Sequence, residues 1–577
     1  MLKSPYFLIG ALMASLLLSA CGDGSDGSDG VDGAAGAPGA NGSDGADGSN
    51  AGNGRLQQIG RYESGLFAAG GAEIVAFDSS TNKLFVVNSG ANTIDVLDIA
   101  DPSQPAKIAT LAVADQDSAS FTSGGANSVA VKNGLLAVAV EADNKQDAGR
   151  IYVYNTSDNS FAAAFTAGAL PDMVTFSHDG QTILSANEGE PSSDYSNDPE
   201  GSITLVDISA GITAAVVKQA TFTSFNASLA DLIDDGVRIT GPGASVAMDL
   251  EPEYIAVSLD NQTAYVTLQE NNALALIDIA TATVTDIVPL GYKDHSLQGM
   301  GFDGDKNDEF PTIVNQPILG MYMPDSIAAY SFNGKTYLIT ANEGDGREYI
   351  YDADSATCTG AGHTDLGDDE CLAYADEVAL EDLNLDTTVF TADQISELQD
   401  GKGWGDLTVT NATGDADKDG NFEEIYAFGA RSFSIWNAEG DMVFDSGDQM
   451  EQIVADQSPL FFNLSNDKNS TDNRSDNKGP EPEGVAIGTV AGRTYAFIGL
   501  ERQGGIMVFD VSNPFAPAFV EYTSNRDLSI DPEEGVDAGD LGPEGLVFVS
   551  AEDSPNGEAL LIVGNEVSGT TTIYKVQ

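Results

Sequence analysis

From Arg55 onward, apolar residues come in short β-branched and aromatic runs broken by Gly, Asn and Asp, and almost no stretch holds a helical period. That pattern predicts strands joined by tight turns, an all-β chain. The runs also repeat. EIVAFDSSTNKLFVVNSGANTIDVLDI, from Glu73 to Ile99, reads as a strand, an Asp/Asn turn, a strand, a Gly-Ala-Asn turn and a third strand. Units on the same plan open at Ser128, Pro171, Glu251, Met323, Glu424, Glu481 and Gly542, which makes eight. A sheet of three or four strands cannot bury both faces alone, so such units stack, and a closed ring leaves no end unit exposed. The expectation is a single β-propeller over 55–577, with eight blades, or seven if the irregular unit at Glu424 is absorbed by its neighbour. LQQIGRY, Leu56 to Tyr62, is placed to add the outer strand to the unit that ends in Thr570–Val576 and so to close the ring. The longest interruption, at about 350–405, contains a short helical pattern in TADQISELQD and reads as a loop insertion over one face.

The chain ahead of this body has a different character. Residues 1–21, MLKSPYFLIGALMASLLLSAC, set Lys3 before an apolar run and the small residues Ser19 and Ala20 before Cys21, a signal-peptide layout too short for a comfortable membrane span. Leu18-Ser19-Ala20-Cys21 resembles the lipobox of bacterial lipoproteins, in which the cysteine is acylated and becomes the first mature residue. The expectation is an exported chain held by a lipid on Cys21, and by the same resemblance Gly22 after the cysteine favours the outer membrane or cell surface. From Gly24 to Gly48 a glycine recurs every third residue. The period is collagen-like, but Pro38 alone supplies an imino acid there, so 22–54 reads as a flexible stalk rather than a triple helix. Export also lets disulfides persist, so Cys358 and Cys371, the two remaining cysteines, are expected to pair.

Charge narrows the partners. With 90 acidic against 24 basic residues the net charge is −66, which repels nucleic acid and anionic lipid and attracts divalent cations. No G-x-S-x-G elbow, P-loop or H-E-x-x-H occurs in the body, so the common serine hydrolases, P-loop proteins and zincins have no support.

The candidate chemistry lies where the units match. An acidic residue opens the first strand of several: Asp172, Glu253, Asp325, Glu483 and Glu544. A second acidic residue, often after Asn, closes the next strand: Asn187 and Glu188, Glu270 just before Asn271, Asn342 and Glu343, Glu501, and Asn565 and Glu566. In antiparallel strands the start of one lies beside the end of the next, so both sets are expected around one mouth of the channel, where hard oxygen ligands suit calcium or another divalent metal. Arg347, Arg431 and Arg502 follow the strand ends, either as neutralising pairs or as an anion-binding clamp.

Two loops carry their own metal signal. In GDADKDGNFEE, Asp415, Asp417, Asp419 and Gly420 follow the D-x-D-x-D-G opening of a calcium loop; Tyr426 at the twelfth position rules out an EF-hand, and Glu423 or Glu424 is left to complete the shell. FDGDKNDE, with Asp303, Asp305, Asn307 and Asp308, is a weaker form of that pattern. His295, in KDHSLQGMG, reads as a surface loop residue, with acid–base or metal chemistry as the alternative.

The segments KDHSLQGMGFDGDKND, GMYMPDSIAAY, TANEGDGREY, IYAFGARSFSIW, DNRSDNKGPEPEGVAIG, IGLERQGGIMVFDVSNP and IVGNEVSGTTTIYKV closely resemble those of choice-of-anchor I domain proteins, over about Leu56 to Gln577. These are exported bacterial proteins similar to mesenchyme-specific cell-surface glycoproteins, attached by differing anchors, and some carry an alkaline phosphatase label. GFDGDKNDE is compressed relative to the Asp-rich turn usual in that family. The resemblance implies a surface propeller. Two functions follow: a calcium-stabilised module that binds protein or carbohydrate in an adhesion-like role, or a divalent-metal-dependent phosphoesterase, phytase-like, acting on a phosphorylated small molecule.

Overall fold

A computed structural model describes residues 52–308, 310–532 and 537–577. The leader, Cys21 and nearly all of the glycine-repeat stalk lie outside them. Among the described residues no helix is long and apolar enough to cross a membrane.

Seven four-stranded antiparallel sheets form the body. Blade 1 runs from Val75–Asp78 to Ala106–Ala112, blade 2 from Ser123–Lys132 to Phe161–Ala169, and blade 3 from Pro171–Phe176 to Val216–Thr221. Blade 4 runs from Pro252–Val257 to Thr283–Pro289 and blade 6 from Pro482–Val490 to Ala518–Thr523. Blade 5 joins Ile327–Phe332 and Lys335–Asn342 to Ser432–Asn437 and Met442–Asp445 across a long insertion. Blade 7 holds Pro543–Val549, Leu560–Asn565 and Thr570–Val576, and its fourth strand is Leu56–Glu63. The first strands of successive blades are neighbours around the ring, and that of blade 7 adjoins that of blade 1. The ring therefore closes as the sequence predicts, with Leu56 opposite Val576 and Glu63 opposite Thr570.

The favoured count of eight blades is corrected to seven. The run at Glu424 opens no blade: Tyr426–Ala427 pairs in parallel with Leu319–Met321, and the strands after it complete blade 5. An apolar run carries the same pattern whether it begins a sheet or finishes one, so a census of repeated hairpins overcounts where an insertion splits a blade.

Apolar alternation fills the space between blades. Blades 3 and 4 share one core that includes Leu184, Ile203, Val266 and Ile277, and blades 5 and 6 another that includes Ile339, Phe433, Ile498 and Phe509. The insertion is larger than the predicted 350–405 and spans everything between Asn342 and Ser432. It holds a three-stranded sheet and the Cys358–Cys371 disulfide. The predicted helix is Ala392–Leu398, started by a capping box between Thr391 and Gln394. A second small core, with Phe302, Leu380, Phe390, Trp404 and Val409, packs the insertion against the connection between blades 4 and 5.

His295 belongs to that connection and corrects the surface reading. It is buried, stacked on Phe302 at 4.4 Å between ring centroids, and its Nδ1 faces the Met300 carbonyl. Burial, reinforced by Lys293, pushes its pKa well below the usual histidine range, which leaves a neutral packing residue.

Candidate acidic mouth and metal loops

A recurring bulge aims the mouth carboxylates. In blade 3, Pro171 pairs with Asn187 and Val174 with Ser185, so Asp172 and Met173 together face a single residue. The same two-against-one shift sets Glu253, Glu483 and Glu544 in blades 4, 6 and 7. A bulge bends the strand and re-aims its side chain, here into the channel. Gly484 and Gly545, which follow two of these acids, let adjacent blades close: a Cβ on Gly484 would lie 2.0 Å from the Glu544 carbonyl oxygen, and one on Gly545 2.6 Å from that of Glu73. Aligning AEIVAF and ANSVAV on PDMVTF adds Glu73 and Asn127, which places six acids and one amide at equivalent positions of the seven blades. These two lie outside the set predicted from sequence.

A cavity of about 550 Å³ opens at this mouth, and Glu73, Asp172, Glu188, Glu253, Asp325 and Glu544 line it. Glu270, a predicted strand-closing acid, lines it as well, and Glu141, Glu190, Glu251, Lys145 and Tyr349 reach it from outside the predicted set. Protein surrounds these carboxyls even where the channel wets them. Burial, reinforced by mutual repulsion, raises Glu188, Glu253, Asp325, Glu483 and Glu544 well above the usual carboxylate range. Burial also pushes Asp172 up to about 6, Glu270 to about 7 and Glu73 to about 8. One carboxylate oxygen on each of Glu253, Glu270, Glu483 and Glu544 is buried without a hydrogen-bond partner among the described residues.

The opposite side of the mouth is neutralised. Lys478 lies 2.8 Å from Glu343, 3.1 Å from Asp345 and 3.6 Å from Glu481. Arg474 also pairs with Glu481, and Arg502 pairs with Glu481 at 3.3 Å and Glu501 at 3.0 Å. Glu343, Glu481 and Glu501 converge closely enough to hold an ion, but these three cations already balance them. Glu566 is half-buried at the rim beyond blade 7, and burial raises it.

Five predicted residues serve the scaffold. The Asn187 amide donates to the Ser202 carbonyl and to Thr204, that of Asn342 to Ser432 and Ser434, and that of Asn565 to the Thr570 carbonyl, each tying the second strand of its blade to the third. Arg347 is buried against Asp249 at 3.2 Å and Glu251 at 3.1 Å, and also donates to the Asp249 carbonyl. Arg431 is buried against Glu451 at 2.7 Å and donates to the carbonyls of Asp303, Ser475 and Asn477. The anion clamp is corrected accordingly: these two guanidinium groups are committed to internal acceptors, and Arg502 to Glu481 and Glu501.

In the insertion, carboxylate oxygens of Asp415, Asp417, Asp419 and Glu423 lie within 4.8 Å of one another. Asp415 accepts from the backbone N–H of Asp419 and Gly420, and Gly420 takes φ +91°, the sharp turn the pattern demands. An all-oxygen set of this charge fits calcium.

The chain is 29% identical to gigasin-3a of Magallana gigas over 184 residues, 30% of this chain and 64% of that protein. It is 28% identical to the mesenchyme-specific cell surface glycoprotein of Strongylocentrotus purpuratus over 283 residues, 46% of this chain and 35% of that one. The chain thus spans less than two thirds of either relative. Among solved structures, Kuenenia stuttgartiensis hydrazine synthase aligns over 89% of this chain and 98% of its own, with 11% identity and a TM-score of 0.42. The Myceliophteria thermophila Cps50 (Swd1) β-propeller domain aligns over 91% and 100%, with 8% identity and a TM-score of 0.41. Residues 73–514 match the family model of the choice-of-anchor I domain, and the chain belongs to that family.

Proposed function

We propose that this chain is an exported surface module, lipid-anchored through Cys21, whose propeller mouth binds a protein or carbohydrate partner through divalent cations. One observation carries the reading: one carboxylate oxygen on each of Glu253, Glu270, Glu483 and Glu544 is buried around the mouth with no hydrogen-bond partner among the described residues, while the cations of the mouth are paired with Glu343, Glu481 and Glu501. Buried anions of this kind need a cation or a proton. The donor set is all oxygen and fits calcium, which would supply positive charge and open coordination positions to sugar hydroxyls or partner carboxylates. The surface assignment draws on a relative named as a cell surface glycoprotein. Calcium in the Asp415 loop would brace the insertion.

The phosphoesterase reading has less support, because Arg347 and Arg431 are buried against internal acceptors and Arg502 is paired through Nε with Glu481 and Glu501. Calorimetric titration of the full chain with calcium tests the proposal. The expected result is a mouth Kd of about 10⁻⁴ to 10⁻³ M, the range of extracellular modules, weakened by Glu253→Gln and Glu544→Gln. Calcium-dependent hydrolysis of p-nitrophenyl phosphate, abolished by those variants, would replace binding with catalysis.

A further inference from the structure

Away from both sites, two segments distant in sequence bring three carboxylates together. Asp303 and Asp308 come from the connection between blades 4 and 5, and Asp472 from the connection between blades 5 and 6. Oxygens of all three lie within 4.8 Å of one another. Asp303 and Asp472 are both fully buried.

The hydrogen bonds leave part of this cluster unspent. Asp303 accepts from the backbone N–H of Asp305 and Thr312. Asp308 accepts from the N–H of Phe310 and from the Thr312 hydroxyl. Asp472 accepts from Ser475 through Oδ1, while its Oδ2 is buried with no partner among the described residues. The Asn463 amide donates to that same Ser475 hydroxyl, and its Oδ1 is likewise buried and unpartnered.

The adjacent basic groups are already engaged. Arg431 is committed to Glu451 and to backbone carbonyls, and Lys306 to Asp406 and Asp476. Glu451 donates nothing to offset the cluster; it accepts from the Asp303 N–H and pairs with Arg431. Two fully buried carboxylates next to a third, with no cation of the chain assigned to them, are costly unless something positive sits among them.

We infer that Asp303, Asp308 and Asp472 form a further divalent-cation site, calcium in class, that clamps the 303–308 turn to the 472–478 segment. Oxygen-only donors from carboxylates select a hard cation over a transition metal. The segment it would fasten carries Arg474 and Lys478, the groups that neutralise one sector of the mouth. The site stands independently of what the mouth binds.

Trp404 supplies the readout. The chain has two tryptophans, and Trp404 packs edge-on against Phe302 at 5.0 Å between ring centroids, with Gly304 so close that a Cβ there would lie 2.4 Å from the indole. The indole therefore flanks Asp303 on both sides in sequence and can sensitise terbium bound there.

The test uses the full chain with the other loop disabled by D417N and D419N. Tryptophan-sensitised terbium emission is titrated, then competed with calcium. Saturable emission that calcium displaces, lost in W404F, is expected. D472N should weaken terbium and calcium binding by about tenfold or more. D308N, at an exposed residue, should do the same while leaving the melting temperature in chelator unchanged, which separates lost binding from lost folding. If D472N and D308N both titrate like the parent, the buried carboxyls share a proton instead and the site is overturned; absence of saturable emission from the D417N/D419N chain overturns it as well.

Discussion

Removing divalent cations should invert the usual dependence of stability on pH. Burial pushes Glu73 up to about 8 and Glu270 to about 7, whereas in the unfolded chain such carboxyls ionise near about 4.3. Between those limits the folded chain holds protons that the unfolded chain has released. Stability is therefore full below the unfolded pKa and is lost as pH rises through the folded one. Each such group contributes about 1.4 kcal/mol per pH unit, so the two together remove about 3 kcal/mol between pH 5 and 6. His295 opposes them: buried and neutral, it loses stability as pH falls below its unfolded pKa of about 6.5, about 1.4 kcal/mol per unit in the other direction. Asp303, Asp472 and Glu377, all pushed up to about 7, act in the same direction as the mouth groups, so the net fall over that unit is about 5 kcal/mol. Urea denaturation in chelator at pH 5, 6, 7 and 8 measures this directly. Calcium in excess should flatten the slope by taking the place of the protons, and Glu73→Gln should reduce it by one group's share. A chelated protein whose stability is level or rises between pH 5 and 7.5 would refute the account of the mouth as an unneutralised carboxylate ring.

Arg347→Met should cost about 3–5 kcal/mol, because it leaves Asp249 and Glu251 buried without a counter-charge; a loss below about 1 kcal/mol in urea denaturation would mean that water reaches that pair. Asn342→Ala removes the donors to Ser432 and Ser434 that hold blade 5 together across its insertion, so a loss of about 1–3 kcal/mol is expected, read as a lower urea midpoint. Deleting the residues through Glu63 takes away the fourth strand of blade 7 and exposes the edge of Thr570–Val576; the expected outcome is association or aggregation by light scattering, as an open strand edge invites pairing.

Much of the fold was legible because its information is local and repeated. Alternating apolar positions, turn residues and the placement of LQQIGRY were enough to foresee a closed all-β ring. The blade count was not, since whether Ser432–Asn437 starts a sheet or joins Lys335–Asn342 is decided by hydrogen bonds across the insertion. At the mouth, an acid at the opening of the first strand was legible for Asp172, Glu253, Asp325, Glu483 and Glu544, whereas Glu73 and Asn127 at the same position emerged only from the aligned blades. The residues that fared worst were those whose role depends on a distant partner. Arg347 finds Asp249 and Glu251, Arg431 finds Glu451, and Asp472 meets Asp303, across separations that periodicity does not encode. His295 misled for a related reason: its polar sequence neighbours gave no sign of Phe302 lying over its ring.

The seam between Leu56–Glu63 and Thr570–Val576 also decides how the molecule answers a mechanical load. Tension travelling along the chain that precedes Leu56 enters the ring at the outermost strand of one blade, which is paired along one edge only. A pull directed away from the sheet separates that ladder one pair at a time, starting at Leu56 and Val576 and meeting a break in register between Gln58 and Gly60 after three pairs. Ahead of that ladder the chain is tied to blade 6, where the Tyr495 hydroxyl donates to the Gly52 carbonyl and Arg55 pairs with Glu521, so two neighbouring blades share the load before the eight-residue strand begins to peel.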